Sequence, residues 1–302
     1  MGEQKTALIL LLVLCFAVVS ISPVGVVKAQ SVTYIYIKAD GSVEGTDKIH
    51  RDENVYTLTD NIDRSSIMVL NDGVVVDGAG YALRGGPSGI ALVERDNVTI
   101  KNFIISIEKF TGDCIWVYYC SNCIILNNTM ESDSCTGIAV WGGGSNFIAG
   151  NHVMNNAGAI FLGEGTSNNI IYGNTITGNT HSIDIVQSQN NTVYRNNFIN
   201  NNHISIMTQL RTTSFVNHLD NGTVGNYWSD YNGTDSNGDG IGDIPHVINE
   251  NIQDNYPLVN PFDIAGIPEF PSLIILPLLL TASLLIVVCK QKLLKKPNQQ
   301  SY

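Results

Sequence analysis

The sequence predicts an all-β chain folded as a right-handed parallel β-helix, a solenoid of about six coils of 22–25 residues. Three observations carry this. Four segments repeat at a fixed interval: "CIILNNTM" from 123, "NFIAGNHV" from 146, "NIIYGNTI" from 169 and "NTVYRNNF" from 191. Their shared asparagines, Asn128, Asn151, Asn174 and Asn196, are 23, 23 and 22 residues apart. A second series, Ile90, Ile115, Ile138, Ile160, Ile183 and Ile204, runs beside the first, each with an apolar residue two positions on. That is strand periodicity, and no sustained helical stripe competes with it in the repeats. Gly, Asn and Ser separate the segments as turn residues do.

The elements follow in order. Residues 1–29 read as a secretory signal peptide: Lys5, an apolar run from Ala7 to Val19, then the small-x-small site Val27-Lys28-Ala29 before Gln30. Residues 30–72 form an entry cap and 73–212 the coils, with "GVVVDGAGYALRG" at 73 and "NVTIKNFII" at 97 as less regular early turns. Inward aliphatics stack into one continuous core, and stacked asparagines hydrogen-bond up a ladder. Residues 213–263 close the end of the solenoid. In 264–302 a charge-free apolar run from Leu273 to Cys289 precedes Lys290, Lys292, Lys295 and Lys296. With Phe270 as its start this is long enough to span a bilayer, and the lysines place the C-terminus inside.

The expected exterior, residues 30–266, holds 25 acidic and 10 basic residues, a charge of 10 − 25 = −15. Such a surface argues against nucleic acid, which selects basic patches. Four of the six cysteines, Cys114, Cys120, Cys123 and Cys135, lie outside, where an even number suggests disulfides. Cys120-x-x-Cys123 lacks a second ligand pair at zinc spacing. Sequons stand at Asn97, Asn127, Asn190, Asn221 and Asn232.

The coils resemble the carbohydrate-binding and sugar-hydrolase type of parallel β-helix, and more closely the NosD-like family, named for a periplasmic copper-associated maturation protein. Archaeal surface proteins of this kind share an entry like "YIYIKADGSVEG", a coil like "VVVDGAGYALRG", and a closing block like "GNYWSDYNGTDSNGDGIGDIPHVI" followed by "DNYPLVNPF". "IPEFPS" resembles a Pro-Glu-Phe sorting motif. The resemblance implies copper handling. Yet copper needs clustered His, Met or Cys, and His50, His152, His181, His203, His218 and His246 are scattered.

Alternation in the second series turns Trp116, Tyr118, Trp141 and Phe161 outward on three consecutive coils, a candidate carbohydrate-binding strip. Packing beneath a loop or a partner is the structural alternative. Asp184 faces out beside the strip, with Glu164, Asp113 and Asp133 in turns, but no carboxylate pair suited to glycoside hydrolysis stands out. A lyase would need a base, and Lys101, Lys109, Arg195 and Arg211 are the only Lys or Arg between 97 and 211. Asp235, Asn237, Asp239 and Asp243, with Gly240 at the sharp turn and the Ile241 carbonyl, follow a calcium-loop spacing also similar to thrombospondin type 3 repeats. At position 12, His246 replaces the usual carboxylate, so Asp230 or Asp254 would have to help. A metal-free Asp-Gly turn is the alternative. Tyr227 and Trp228 are expected to pack on the open core end.

The expected function is non-catalytic: an exported, membrane-anchored cell-surface β-helix that binds glycans or other surface polymers, with calcium as its candidate cofactor. A polysaccharide lyase or glycoside hydrolase is the rival, and copper handling the third reading.

Overall fold

The computed structural model describes residues 33–107, 112–202, 216–249 and 252–266. The signal-peptide and membrane-span expectations, and Lys109, His203, Ile204 and Arg211, lie outside the described residues. Among the described residues no helix is long and apolar enough to cross a membrane.

Three eight-stranded sheets run the length of a parallel β-solenoid. Sheet A stacks Thr33–Ile37, Ser65–Val69, Ile90–Val93, Ile115–Tyr118, Thr136–Trp141, Gly158–Leu162 and His181–Ile185. Sheet B runs from Val55–Leu58 to Thr192–Tyr194, and sheet C from Ile62–Asp63 to Tyr227–Trp228. Each coil contributes one strand to B, then C, then A, so the chain completes six coils between Val55 and Ile185. The first lies within residues 30–72, which therefore hold more than a cap. Two antiparallel strands, Val43–Glu44 and Ile49–Asp52, cover the first parallel strands of A and B. They occupy edges that would otherwise be templates for pairing with another chain.

The core is the inward column of each sheet. Ile67, Ile90, Ile115, Ile138, Ile160 and Ile183 stand in register across sheet A, each buried. One inter-strand spacing, about 4.8 Å, puts each in van der Waals reach of the next.

Corners decide the shape. At these corners residues in the left-handed region turn the chain from one sheet to the next. Asn97, Asn122, Ser145, Asn168 and Asn190 do so between A and B; Asn102, Asn127, Gly150, Gly173 and Arg195 do so between B and C. Asn and Gly tolerate that conformation best.

Beside each corner lies a buried asparagine ladder, three in all. Asn128, Asn151, Asn174, Asn196 and Asn226 form the one at B–C. In it each Nδ2 donates to the next Oδ1, at 3.0, 2.9, 2.8 and 2.9 Å. Each Oδ1 also accepts the backbone N–H of the preceding asparagine. Asn146, Asn169, Asn191 and Asn217 build the A–B ladder, and Asn156, Asn179 and Asn201 the C–A ladder. The spacing in the sequence revealed only the first. The ladders satisfy backbone groups that a sharp corner takes out of sheet pairing.

The cysteine expectation is not met. All four are buried, and among the described residues no disulfide joins them. Cys120 and Cys123 flank one peptide of the preceding coil: Arg95 N–H donates to Cys120 Sγ at 3.3 Å, and Cys123 Sγ donates to Arg95 O at 3.7 Å. Each sulfur fills core volume at a corner and has its own backbone partner, as a buried free cysteine does.

Candidate functional site: the outer face of sheet A

In Ile115–Tyr118, Ile115 and Val117 are buried while Trp116 and Tyr118 are turned outward. Strand register then builds two columns along the solenoid axis. One reads Ala91, Trp116, Ala139, Phe161, Asp184; the other reads Val93, Tyr118, Trp141. The four aromatics named from the sequence do share this face. Ala139 points outward yet is only 2% exposed, because the large rings on the neighbouring coils cover it. Large and small residues alternate down the column, and the ring pairs are tilted by 36° and 41°.

The rings meet in pairs. Trp116 and Tyr118 centroids are 5.3 Å apart, and Trp141 and Phe161 are 4.7 Å apart. Tyr119, which the sequence reading missed, adds an edge contact to Tyr118 at 4.7 Å. Its φ of 51° turns it out of the strand at the corner, where it is 58% exposed. The run Trp-Val-Tyr-Tyr was its signal. Two glycines make room. A Cβ at Gly163 would sit 2.7 Å from ring carbons of Phe161 and Trp141, and one at Gly142 would sit 2.8 Å from the Tyr119 ring.

Charge around the platform is negative. Burial and then the neighbouring Tyr119 and Glu94 raise the Tyr118 hydroxyl pKa. Asp184 continues the Phe161 column, 3.7 Å from His181 Nδ1. Residues 112–202 hold five acidic groups and one Lys or Arg, Arg195, whose guanidinium lies over the Phe262 ring at 5.2 Å.

Asp113 and Asp184 do not form a catalytic pair here. Burial pushes the Asp113 carboxyl up to about 6, against hydrogen bonds from Thr136. Asp113 precedes Ile115–Tyr118 and Asp184 lies three coils further on, roughly 14 Å at one strand spacing per coil. Glycosidase carboxylates lie about 5 to 10 Å apart. Asp133 and Glu164 are exposed. Lys101 is buried and paired with Asp77 at 3.0 Å.

The closing block adds one rung to sheet C. Trp228 pairs in register with Phe198 and stacks on it at 4.2 Å and 10°, sealing the core end at 1% exposure. Tyr227 alternates to the other side and is half-buried, so Trp228 alone has the sealing role expected of both. Asp254 is fully buried against Asn226 and Trp228, and His246 stacks on Trp228 at 5.1 Å; both serve this closure. In the loop, Asp235 accepts the Gly238, Asp239 and Gly240 amides. Asn237 accepts the Asp239 amide and Asp239 accepts that of Ile241. Asp243 accepts Thr234 and Ser236. Among the described residues no group of three or more His, Cys, Asp or Glu is arranged to hold a metal.

Copper does not fit the described donors. His50, His152, His181, His218 and His246 sit on five separate segments, and the cysteine thiols are sealed in the core. Soft-metal sites need such groups together.

The chain matches a family model described as periplasmic copper-binding protein (NosD) over residues 22–233. No curated protein matches it. Among solved structures it is similar to a crystal structure of a mutant of the periplasmic alginate epimerase AlgG, at 12% identity and a TM-score of 0.23, covering 59% of this chain and 73% of that one.

Proposed function

The chain belongs to the NosD family, and from that premise we propose that it is an exported, non-catalytic β-helix of the cell surface that binds glycans or other surface polymers on sheet A. One observation carries the reading: Trp116, Tyr118, Trp141 and Phe161 share one outward face as two ring pairs, with Ala139 and Gly163 leaving them room. Aromatic faces of this kind stack on sugar rings, and contiguous exposed apolar surface marks binding. The membrane anchor after residue 266 belongs to the same proposal. The copper in the family description is not carried over, since the described histidines and cysteines do not converge.

The test is affinity electrophoresis of the full chain, kept in a mild neutral detergent, through gels containing polysaccharides. Wild type is expected to be retarded, and Trp116→Ala with Trp141→Ala to lose at least ten-fold in affinity. Unchanged retardation of the double variant would sink the reading. Release of reducing ends or unsaturated products would replace it with the enzyme alternative.

The proposal includes a calcium ion in the closing loop. Its support is the alternation of oxygen-bearing side chains at 235, 237 and 239, with left-handed Gly238 and Gly240 between and after them.

A further inference from the structure

Resting on the glycan-binding reading, we infer that the sheet A platform takes uncharged sugar chains lying along the solenoid axis and excludes polyuronates and other polyanions. Direction follows from the columns. Trp116 and Phe161 occupy one column on alternate coils, with Ala139 between them. Two strand spacings separate their attachment points, roughly 10 Å. That is close to the length of a disaccharide unit, so a chain lying along the axis meets a ring with every second sugar. A chain laid along the strands would instead leave the platform after Tyr118 or Trp141 and meet the corner at Gly142 and Gly163.

The charge class follows from what borders the rings. Asp184 stands next to Phe161 in the same column, 3.7 Å from His181. Glu94 is exposed and close enough to act on Tyr118 by its charge. Glu164 is exposed in the turn that follows Phe161. The described cations nearest in sequence are engaged elsewhere. Arg95 is turned to Leu70 O at 3.2 Å and Asp72 at 3.3 Å, and Arg195 to Phe262. A carboxylate on every sugar would meet like charge at both ends of the platform, with no guanidinium or ammonium among the described residues turned to receive it. Binding acidic chains calls for Arg or Lys clusters. Neutral hydroxyls, in contrast, can donate to Asp184 and Glu94.

The experiment compares a linear neutral β-glucan with alginate of matched length, by affinity electrophoresis of the full chain in neutral detergent at low salt. Wild type is expected to bind the glucan at least ten-fold more tightly than alginate. Raising the salt to 1 M, where screening falls to about 3 Å, should narrow that ratio. So should Glu94→Gln combined with Asp184→Asn, which removes the like charge while keeping an amide oxygen to accept a sugar hydroxyl. Alginate bound as tightly as glucan, and lost in the Trp116→Ala/Trp141→Ala variant, overturns this inference and leaves glycan binding standing. Alginate exclusion unchanged by salt and by the charge variant overturns the electrostatic assignment. Retention of neither polymer overturns both this inference and the reading beneath it.

Discussion

Oδ2 of Asp254 accepts the indole Nε1–H of Trp228 at 2.8 Å. The same oxygen accepts the Asn226 backbone N–H at 2.7 Å and Asn226 Nδ2 at 3.3 Å, while Oδ1 accepts Tyr256 N–H at 3.0 Å. Asp254 thus terminates the five-asparagine ladder. Every amide in that ladder donates toward this end, so the chain of dipoles presents its positive end to the carboxyl, and each bond polarises the next.

Replacing Asp254 with Ala leaves the Trp228 indole N–H and the Asn226 backbone N–H without an acceptor, at about 1–3 kcal/mol each, while Asn226 Nδ2 keeps the Val193 and Leu219 carbonyls. A loss of roughly 3–5 kcal/mol in urea unfolding is expected once relaxation is allowed for. Gly225→Ala should be comparably harmful, since its Cβ would stand 1.7 Å from Asp254 Oδ1. Wild-type midpoints for both variants would remove the cap from the account of stability.

Burial pushes the Asp254 carboxyl up to about 6 despite its donors. An unfolded aspartate titrates near ~3.9. The folded state therefore holds the proton more tightly, and the group's stabilising contribution is full below about pH 4 and lost as pH rises through about 6. Two pH units of displacement correspond to roughly 3 kcal/mol. Wild-type stability measured against Asp254→Asn should decline over that window and level off above it. A difference that grows with pH would mean the ladder keeps the carboxylate ionised.

Gly163→Ala tests the platform without removing a ring. The added methyl meets both Phe161 and Trp141 and must push them off the sheet. Glycan affinity should fall several-fold while the unfolding midpoint moves by no more than an overpacked surface site requires, about 1 kcal/mol. Full affinity in a folded variant would show that ring placement is immaterial.

Calcium at 10 mM should raise the unfolding midpoint of wild type and not that of Asp235→Ala with Asp239→Ala. Loops with extracellular-type affinities near 10⁻⁴–10⁻³ M would gain about 1.4–2.7 kcal/mol by mass action. An identical calcium response in both proteins removes the ion from this loop.

The repeat was legible because stacking forces like residues to recur at the coil length. Asn128 to Asn196 and Ile90 to Ile183 therefore announce themselves, and alternation alone oriented Trp116 and Tyr118. Two ladders were overlooked although Asn146, Asn169 and Asn191 open three of the aligned segments; their spacing of 23 and 22 was the available signal. What the sequence could not show is contact that no period governs. Asp254 reaches Asn226 across 28 residues, so it read as a loop carboxylate near a calcium pattern. Tyr119 was hidden because its strand ends one residue before it, at Tyr118. The cysteines looked like disulfide partners on count, whereas each is used as a small buried apolar group.

The three corner ladders also make the length of this molecule quantised. A residue removed inside a strand turns that strand's inward side chains to the opposite face, whereas the corners take up differences in coil length, with 23, 22 and 30 residues between successive ladder asparagines from Asn151 to Asn226. Twenty-three removed together, from one ladder asparagine to the next as between Asn151 and Asn174, restore all three ladders and all three sheets one step shorter. The fold is a ruler with a coil as its only graduation, and the reach of the platform along its axis can be lengthened or shortened by whole coils alone.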